Sequence, residues 1–499
     1  MKWAAFQVLH VAVFIVAGLF FASRAEAQTP GPGSGWVYAL TEGSQLTEDC
    51  PICDRVTVPV PMRGTFELRF SSQGPLFTDY AVGNIAFTAG RSNGPAYKVT
   101  GQGVYVLGGE IAVIQSLSLA VQIDNGTTNE LCYLTNAMAP AGRPWPLLQA
   151  GVDQTNGTFI QQYRLDLNAA PFRELWFSTA APFLAGGWNP PTNAISAGDL
   201  LSMSGRVVRR NQQLTGQLGI MPPVPDLGLK GLDVLPGGEI VFSITQDVFS
   251  EPLGALHPGD LLSDEGRIVR ANLQLIGAFS PSPAPPSGFG LGAVQVMDSG
   301  EIYFSVQTNF YSTNLGLKVQ TGDLLSETGT IIRSGAQLLA AFNPTNTTTD
   351  RGLTAFHVWP SGEIWFATAQ GFYDALSNFY APGDLLSDYG YVVYRNSDFV
   401  SAFGGSGGVA GVGLDALFVV SDVTAVNGAA RLRVPQPASQ PPASLALRWQ
   451  GEGRVFQLER AAGLTGAFLP ASPIDTANSF IDPGILNQQG ETFYRVRQW

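Results

Sequence analysis

GLKGLDVLPGGEIVFS, residues 228–243, decides the fold, because the chain repeats it. GLGAVQVMDSGEIYFS (290–305) and GLTAFHVWPSGEIWFA (352–367) align with it without gaps, YRLDLNAAPFRELWFS (163–178) is a more distant copy, and GLDALFVVSDV (413–423) begins a fifth. A second motif recurs in step: GDLLSMSGRVV (198–208), GDLLSDEGRIV (259–269), GDLLSETGTII (322–332) and GDLLSDYGYVV (383–393). A third follows it, as QLTGQLG (213–219), QLIGAFS (274–280), QLLAAFN (337–343) and DFVSAFG (398–404). Three ordered motifs recurring four times, at a period of about 62 residues, constitute an internal repeat.

Each copy predicts strand, tight turn, strand, variable loop, strand, Gly turn, strand and a last short strand. In the first strand Leu232, Val294, Phe356 and Leu417 share a register, with Val234, Val296, Val358 and Val419 two residues on. They therefore share a face. The position between them holds Asp233, Gln295, His357 and Phe418, a chemically unconstrained set expected to point elsewhere. In the second strand Ile240 and Phe242 occupy one face and Val241 the other, so that strand is covered on both sides. The expectation is an all-β chain with a β-propeller-like repeat domain of four to five units over 160–425, the fifth partial copy supplying a strand that pins the ring shut. An open array of stacked units is the alternative.

Around this block lie two smaller β regions. Residues 34–157 alternate apolar and polar in short runs such as GTFELRF (64–70) and NIAFTAG (84–90), the half-buried strand signature of a β-sandwich or barrel. VPQPASQPPA (434–443) reads as a stiff Pro-rich linker, and 444–499 as a small C-terminal β module with a marginal core of its own.

The tail carries Leu445, Leu447 and Trp449, then Phe456, Leu458, Glu459, Ala461, Leu464 and Gly466, and closes on FYRVR (493–497). In this it resembles the C-terminal module of many large exported bacterial proteins, with LxLxW, FxLExAxxLxG and FYRVR segments. The GEIxFS and GDLLS repeats look like those of uncharacterised exported bacterial proteins with propeller-like repeats. These resemblances imply export and a surface-associated or secreted location outside a bacterium, and no chemistry.

Residues 1–27 place Lys2 before an apolar run and end in Ala25-Glu26-Ala27, which reads as a signal peptide cleaved after Ala27, an uncleaved anchor being the alternative. No later stretch is apolar enough to span a membrane. Only 13% of residues are charged against about 25% on average, the net charge is −12, and four lysines occur, which excludes a nucleic-acid partner. Of the three cysteines, Cys50 and Cys53 are close enough for a local disulfide, while either one pairing with Cys132 is the alternative.

Catalytic motifs of the metal and phosphate classes are missing: there is no zinc-protease or phosphate-loop pattern, and the two histidines beyond residue 27, His257 and His357, lie in different motifs. Glu239, Glu301 and Glu363 recur at one register and are candidate metal ligands, calcium being the cation such carboxylates would suit; no specific calcium motif supports it. The other reading is that they bond the backbone of the turn before them. The GDLLS aspartates are expected to accept backbone N–H bonds in turns. Trp359, His357 and Tyr303 are candidates for a ligand surface, in particular for carbohydrate. The chain is thus expected to be an exported, non-enzymatic binding or scaffold protein acting on an extracellular or cell-surface component through loops of the ring. A secreted polysaccharide hydrolase or lyase, with acids drawn from several blades, is the alternative. Limited proteolysis with mass spectrometry is expected to release one resistant block spanning about residues 160–425. Cuts between individual repeats would contradict a closed ring.

Overall fold

The computed structural model describes residues 35–53, 56–90, 96–186, 194–285, 287–404, 412–424, 426, 430–433, 436–438, 444–463, 466–483, 485 and 491–499. The proposed signal segment lies outside the described residues, as does most of the Pro-rich linker. The chain is all-β apart from short helical turns.

The first ten strands form one antiparallel sheet whose pairings make an unbroken circuit. Gln162–Ala170 pairs with Leu148–Gln154 on one side and with Gly35–Leu40 and Gln45–Asp49 on the other. Alternation fills the interior with Tyr38, Tyr80 and Tyr105, and the half-buried Trp145, from the loop before Leu148–Gln154, packs on Tyr80 and Tyr105 with ring centroids at 5.1 and 6.4 Å. Gly101 lies where the register of Phe77–Ala89 against Tyr97–Gly108 shifts, and its φ of +156° and 2.3 Å from a would-be Cβ to the Ala120 carbonyl leave no room for a side chain. Cys50 and Cys53 are bonded to each other, and Cys132 is a buried free thiol.

The repeats build four four-stranded antiparallel sheets. Sheets II, III and IV begin with inner strands Lys230–Val234, Val294–Val296 and Leu353–Val358, followed by second strands Ile240–Ser243, Ile302–Phe304 and Ile364–Thr368. Third strands carry the LLS of GDLLS, and outer strands end each sheet. Sheet I differs. Its second strand, Phe172–Ser178, pairs with Ala416–Ser421 from the fifth copy, which takes the inner place. The inner strands touch in a closed order, 416–421 to 230–234 to 294–296 to 353–358 and back. There are four sheets, and the fifth copy closes the ring as expected.

The strand that should have begun copy one, within YRLDLNAA, belongs to the N-terminal sheet instead. That sheet therefore runs on to Ala170, past the boundary at 157–160 expected from the sequence. The third motif also differs from expectation: it forms a short helix and a 3-10 turn rather than a strand. The aspartate of GDLLS explains this, because Asp199, Asp260, Asp323 and Asp384 each bond the first helical N–H, at Asn211, Asn272, Gly335 and Asn396. The Gln or Asp that opens the motif, three residues past the cap position, accepts the N–H of the cap residue, and at Ser334 the cap side chain accepts the Gln337 N–H in return.

Sheet packing follows the face pattern. Leu232, Val234, Ile240 and Phe242 meet Trp176, Phe418 and Val420 of sheet I, while Val241 on the reverse side meets Val294 and Phe304 of sheet III. Phe356 and Phe366 meet Tyr303, and the reverse face of sheet IV, with Trp365 and Ala367, joins Leu417, Leu175 and Phe177 and the N-terminal sheet.

The C-terminal residues form two small sheets, with Gln436–Ala438 from the linker region pairing onto Ser444–Gln450. They dock on the ring. Asp475 accepts from Arg209 at 2.6 Å, and the Gly237 N–H meets the Gly453 carbonyl at 2.9 Å. Asp422, just past the closing strand, accepts from the Val37 N–H, Arg173 Nε, Arg497 Nη2 and Trp499 Nε1 at 2.6–2.8 Å. It is 3% exposed and joins the N-terminal sheet, the ring and the C-terminal module. Asp422→Ala leaves two arginines without their buried counter-charge and is expected to lower unfolding free energy by about 3–5 kcal/mol in denaturant titration. It should also speed proteolytic release of the C-terminal module.

Candidate functional site

The repeated acids are structural ties. Glu174, Glu239, Glu301 and Glu363 each accept from the GDLLS serine of their own sheet, Ser202, Ser263, Ser326 and Ser387. The metal candidates Glu239, Glu301 and Glu363 are thus held apart in separate sheets, and no group of three or more metal-ligating side chains occurs among the described residues. Their partner is also not the turn backbone expected from the sequence. The carboxylate bridges the second and third strands, while the glutamate backbone carbonyl accepts from the turn, at Leu235, Met297 and Trp359. In sheet IV burial raises the Glu363 pKa, against the pull of Ser387, Tyr391 and the Arg143 charge. The GDLLS aspartates do accept turn N–H groups, from Ser196, His257, Gln320 and Ala381, as expected.

Because successive strands run antiparallel, the tight turns of every sheet lie at one end of the ring and the variable loops and helices at the other. The C-terminal module covers the turn end. At the opposite end each variable loop folds into a two-stranded hairpin. Every hairpin exposes a large residue at the same place, seven positions beyond the second-strand phenylalanine: Leu184 at 67%, Phe249 at 56%, Tyr311 at 49% and Tyr373 at 54%, with Leu317 and Phe379 exposed beside the last two. Residues this apolar and this exposed, at matched sites, are not needed by any packing layer. In three sheets the carbonyl of that residue accepts an N–H from the segment after the helix, Met221, Ser282 or Thr345, at 2.9–3.1 Å. The hairpins are therefore pinned to the ring and hold their side chains in place before any partner arrives.

The other candidates move inward. Tyr303 packs between sheets III and IV, where burial raises its pKa, and is no outer ligand surface. His357 and Trp359 are 8% and 1% exposed. They do not face outward either, but line a cavity of about 300 Å³ on the ring axis at its turn end. Asp233, Gln295 and Phe418 line it too. These residues occupy the position that the sequence left unconstrained, and its role is to link sheets. Asp233 Oδ2 accepts from the Val296 N–H at 2.5 Å and Gln295 Oε1 from the Val358 N–H at 2.8 Å, each in the next sheet. The signal available beforehand was that Asp, Gln and His can all hydrogen-bond.

Arg454 of the C-terminal module enters this axial mouth. It bonds both Asp233 oxygens at 3.2 Å and the Val234 and Val296 carbonyls at 2.8 and 2.9 Å. Burial raises the Asp233 pKa and the Arg454 charge opposes it. Burial, aided by the Arg454 charge, pushes the His357 pKa down to about 3, so the ring is neutral. Neither His357 Nε2 nor Trp359 Nε1 has a protein partner.

No described helix is long and apolar enough to cross a membrane. No family model matches the chain, and no curated protein matches it. Among solved structures it is similar to PorZ, an essential surface component of the type-IX secretion system of Porphyromonas gingivalis, at 9% identity and a TM-score of 0.19, over 87% of this chain and 80% of that one. It is also similar to the extracellular domain of BT4673 of B. thetaiotaomicron, at 6% identity and a TM-score of 0.18, over 90% of this chain and 94% of that one. Scores this low do not superpose the backbones, and a role for this chain rests on its own residues.

Proposed function

We propose that the chain is an exported, non-enzymatic binding protein that holds a neutral carbohydrate polymer of the bacterial surface or its surroundings on the hairpin end of its ring. The observation that carries this reading is the set of four exposed residues, Leu184, Phe249, Tyr311 and Tyr373, at equivalent positions, three of them pinned through their own carbonyls and the first hairpin held by the Gly186 N–H on the Phe403 carbonyl. Aromatic and aliphatic faces of this kind cover the apolar face of a sugar ring while leaving its hydroxyls in water. Four sites on one rigid body favour a repeating ligand, because a second contact is made at high effective concentration once the first is in place. The net charge of −12 works against polyanions, which selects neutral glycans.

The test is a glycan and surface-component array probed with the purified chain from residue 28 onward, followed by titration of the retained component. Retention of neutral polysaccharide is expected. Replacing Leu184, Phe249, Tyr311 and Tyr373 together by serine should cost at least about tenfold in affinity, equivalent to about 1.4 kcal/mol, with the melting temperature unchanged. Failure of every neutral glycan to bind, or a quadruple variant that binds like the parent, would overturn the reading.

A further inference from the structure

The axial cavity lies at the end of the ring opposite the hairpins, and nothing in the rim reading uses it. Its volume of about 300 Å³ stands at the small end of ligand pockets, which run from about 300 to 1,000 Å³. The C-terminal module leaves it open on one side. That module is tied to sheet I through Arg206 and Arg209, to sheet II through Gly237, and to sheet III through the single side chain of Arg454, which reaches the Val296 carbonyl and Asp298. Toward sheets III and IV the cavity is bounded by the turns carrying Met297, Asp298 and Pro360, and the Asp298 side chain is 90% exposed.

We infer that this cavity binds one neutral, hydroxyl-bearing ring of monosaccharide size. The polar groups on its wall suit hydroxyls and no charged ligand. Asp233 is neutralised by Arg454, and Arg454 is itself fully engaged, with Asp298 as a further partner at 3.3 Å. His357 is uncharged at neutral pH. The wall thus offers no free cation to an anion; its two carboxylates share one guanidinium, and the excess negative charge sits on Asp298, whose side chain is 90% exposed to water at the mouth. It does offer hydrogen bonds. His357 Nε2 and Trp359 Nε1 have no protein partner and lie sealed behind the wall surface, where a hydroxyl meets them once the two side chains adjust, and each such group costs about 1–3 kcal/mol until it is satisfied. Gln295 has its carbonyl oxygen committed to the Val358 N–H, which directs its amide NH2 as the remaining donor. Hydroxyls meet such a mixed set because each one both donates and accepts. Between the polar groups the wall is Val294, Val358, Phe418 and Trp499, apolar area for the C–H face of a sugar ring.

The site can be read directly, because Trp359 and Trp499 are on its wall. Intrinsic fluorescence and saturation-transfer NMR on the exported chain, titrated with glucose, galactose, mannose and N-acetylglucosamine, are expected to show saturable binding of at least one sugar with Kd of about 1 mM or tighter. Sodium phosphate should give no change. Gln295→Ala, at a half-buried position, should weaken binding about tenfold, and Met297→Trp, which fills the opening, should abolish it. The quadruple hairpin variant should bind the monosaccharide like the parent, which separates this site from the rim. The inference is overturned if no sugar in the set saturates the chain, if phosphate competes, if both cavity variants bind normally, or if the hairpin variant loses the monosaccharide.

Discussion

Asp422 is the joint on which the assembly depends. Its carboxylate is buried and takes four donors from three parts of the chain: Val37 from the N-terminal sheet, Arg173 from sheet I, and Arg497 and Trp499 from the C-terminal module. A carboxylate out of water costs several kcal/mol unless its lone pairs are occupied by good donors. Here they are occupied only when the closing strand Ala416–Ser421 is seated beside Phe172–Ser178, because Asp422 is the next residue. Ring closure, docking of the N-terminal sheet and docking of the module are therefore one coupled event. Arg173, Arg497 and Trp499 share one carboxylate oxygen and the Val37 N–H takes the other, so any part that leaves strips a donor from a buried charge.

The ring itself needs no single tie of that strength, since its sheets present complementary faces. Phe242, Phe304, Phe366 and Phe177 are equivalent, and each is fully or almost fully buried against the preceding sheet. The Ser–Glu contact then fixes the third strand to the second within a sheet, and the GDLLS aspartate fixes the turn to the helix that leads on. Between sheets, Asp233 and Gln295 reach the backbone of the neighbour's inner strand. Three polar devices thus act at three scales, and each sits where an unpaired backbone or side-chain group would otherwise be buried.

How much of this was legible beforehand depends on whether a signal was local. The strands were legible, because period-two alternation is carried by each short run, and the fifth copy offered the strand that would complete a circuit while leaving an open array as the alternative. The destination of YRLDLNAA was not, since Tyr163, Leu165 and Leu167 alternate equally well for either sheet and the choice is made by pairing with Gln45–Asp49 and Leu148–Gln154. QLTGQLG and its relatives were misread as strand because a helix of four to six residues is too short to show its period, and the decisive cap comes from an aspartate twelve residues earlier, as in Asp199 and Asn211. Glu239 looked like a turn residue or a metal ligand because Ser263, its partner, lies a strand away. The axial wall was hidden by its own variety: Asp233, Gln295, His357 and Phe418 share no chemistry, and only their common place in the ring relates them.

That variety separates scaffold from recognition within one chain. Positions that face a neighbouring sheet's core stay aliphatic or phenylalanine from copy to copy, because a change of volume there is felt at once. Positions on the hairpin tips and on the axis vary freely, as Leu184, Phe249, Tyr311 and Tyr373 do at one end and the axial four do at the other. The two ends are not equivalent, however. The C-terminal module occupies the turn end, where it narrows the axis to a small, half-covered cavity, and so leaves the hairpin end as the broad face of the ring. In the reading proposed above, a long ligand lies along the hairpins and a single ring sits at the axis; the module, by docking at the turn end, sets that division.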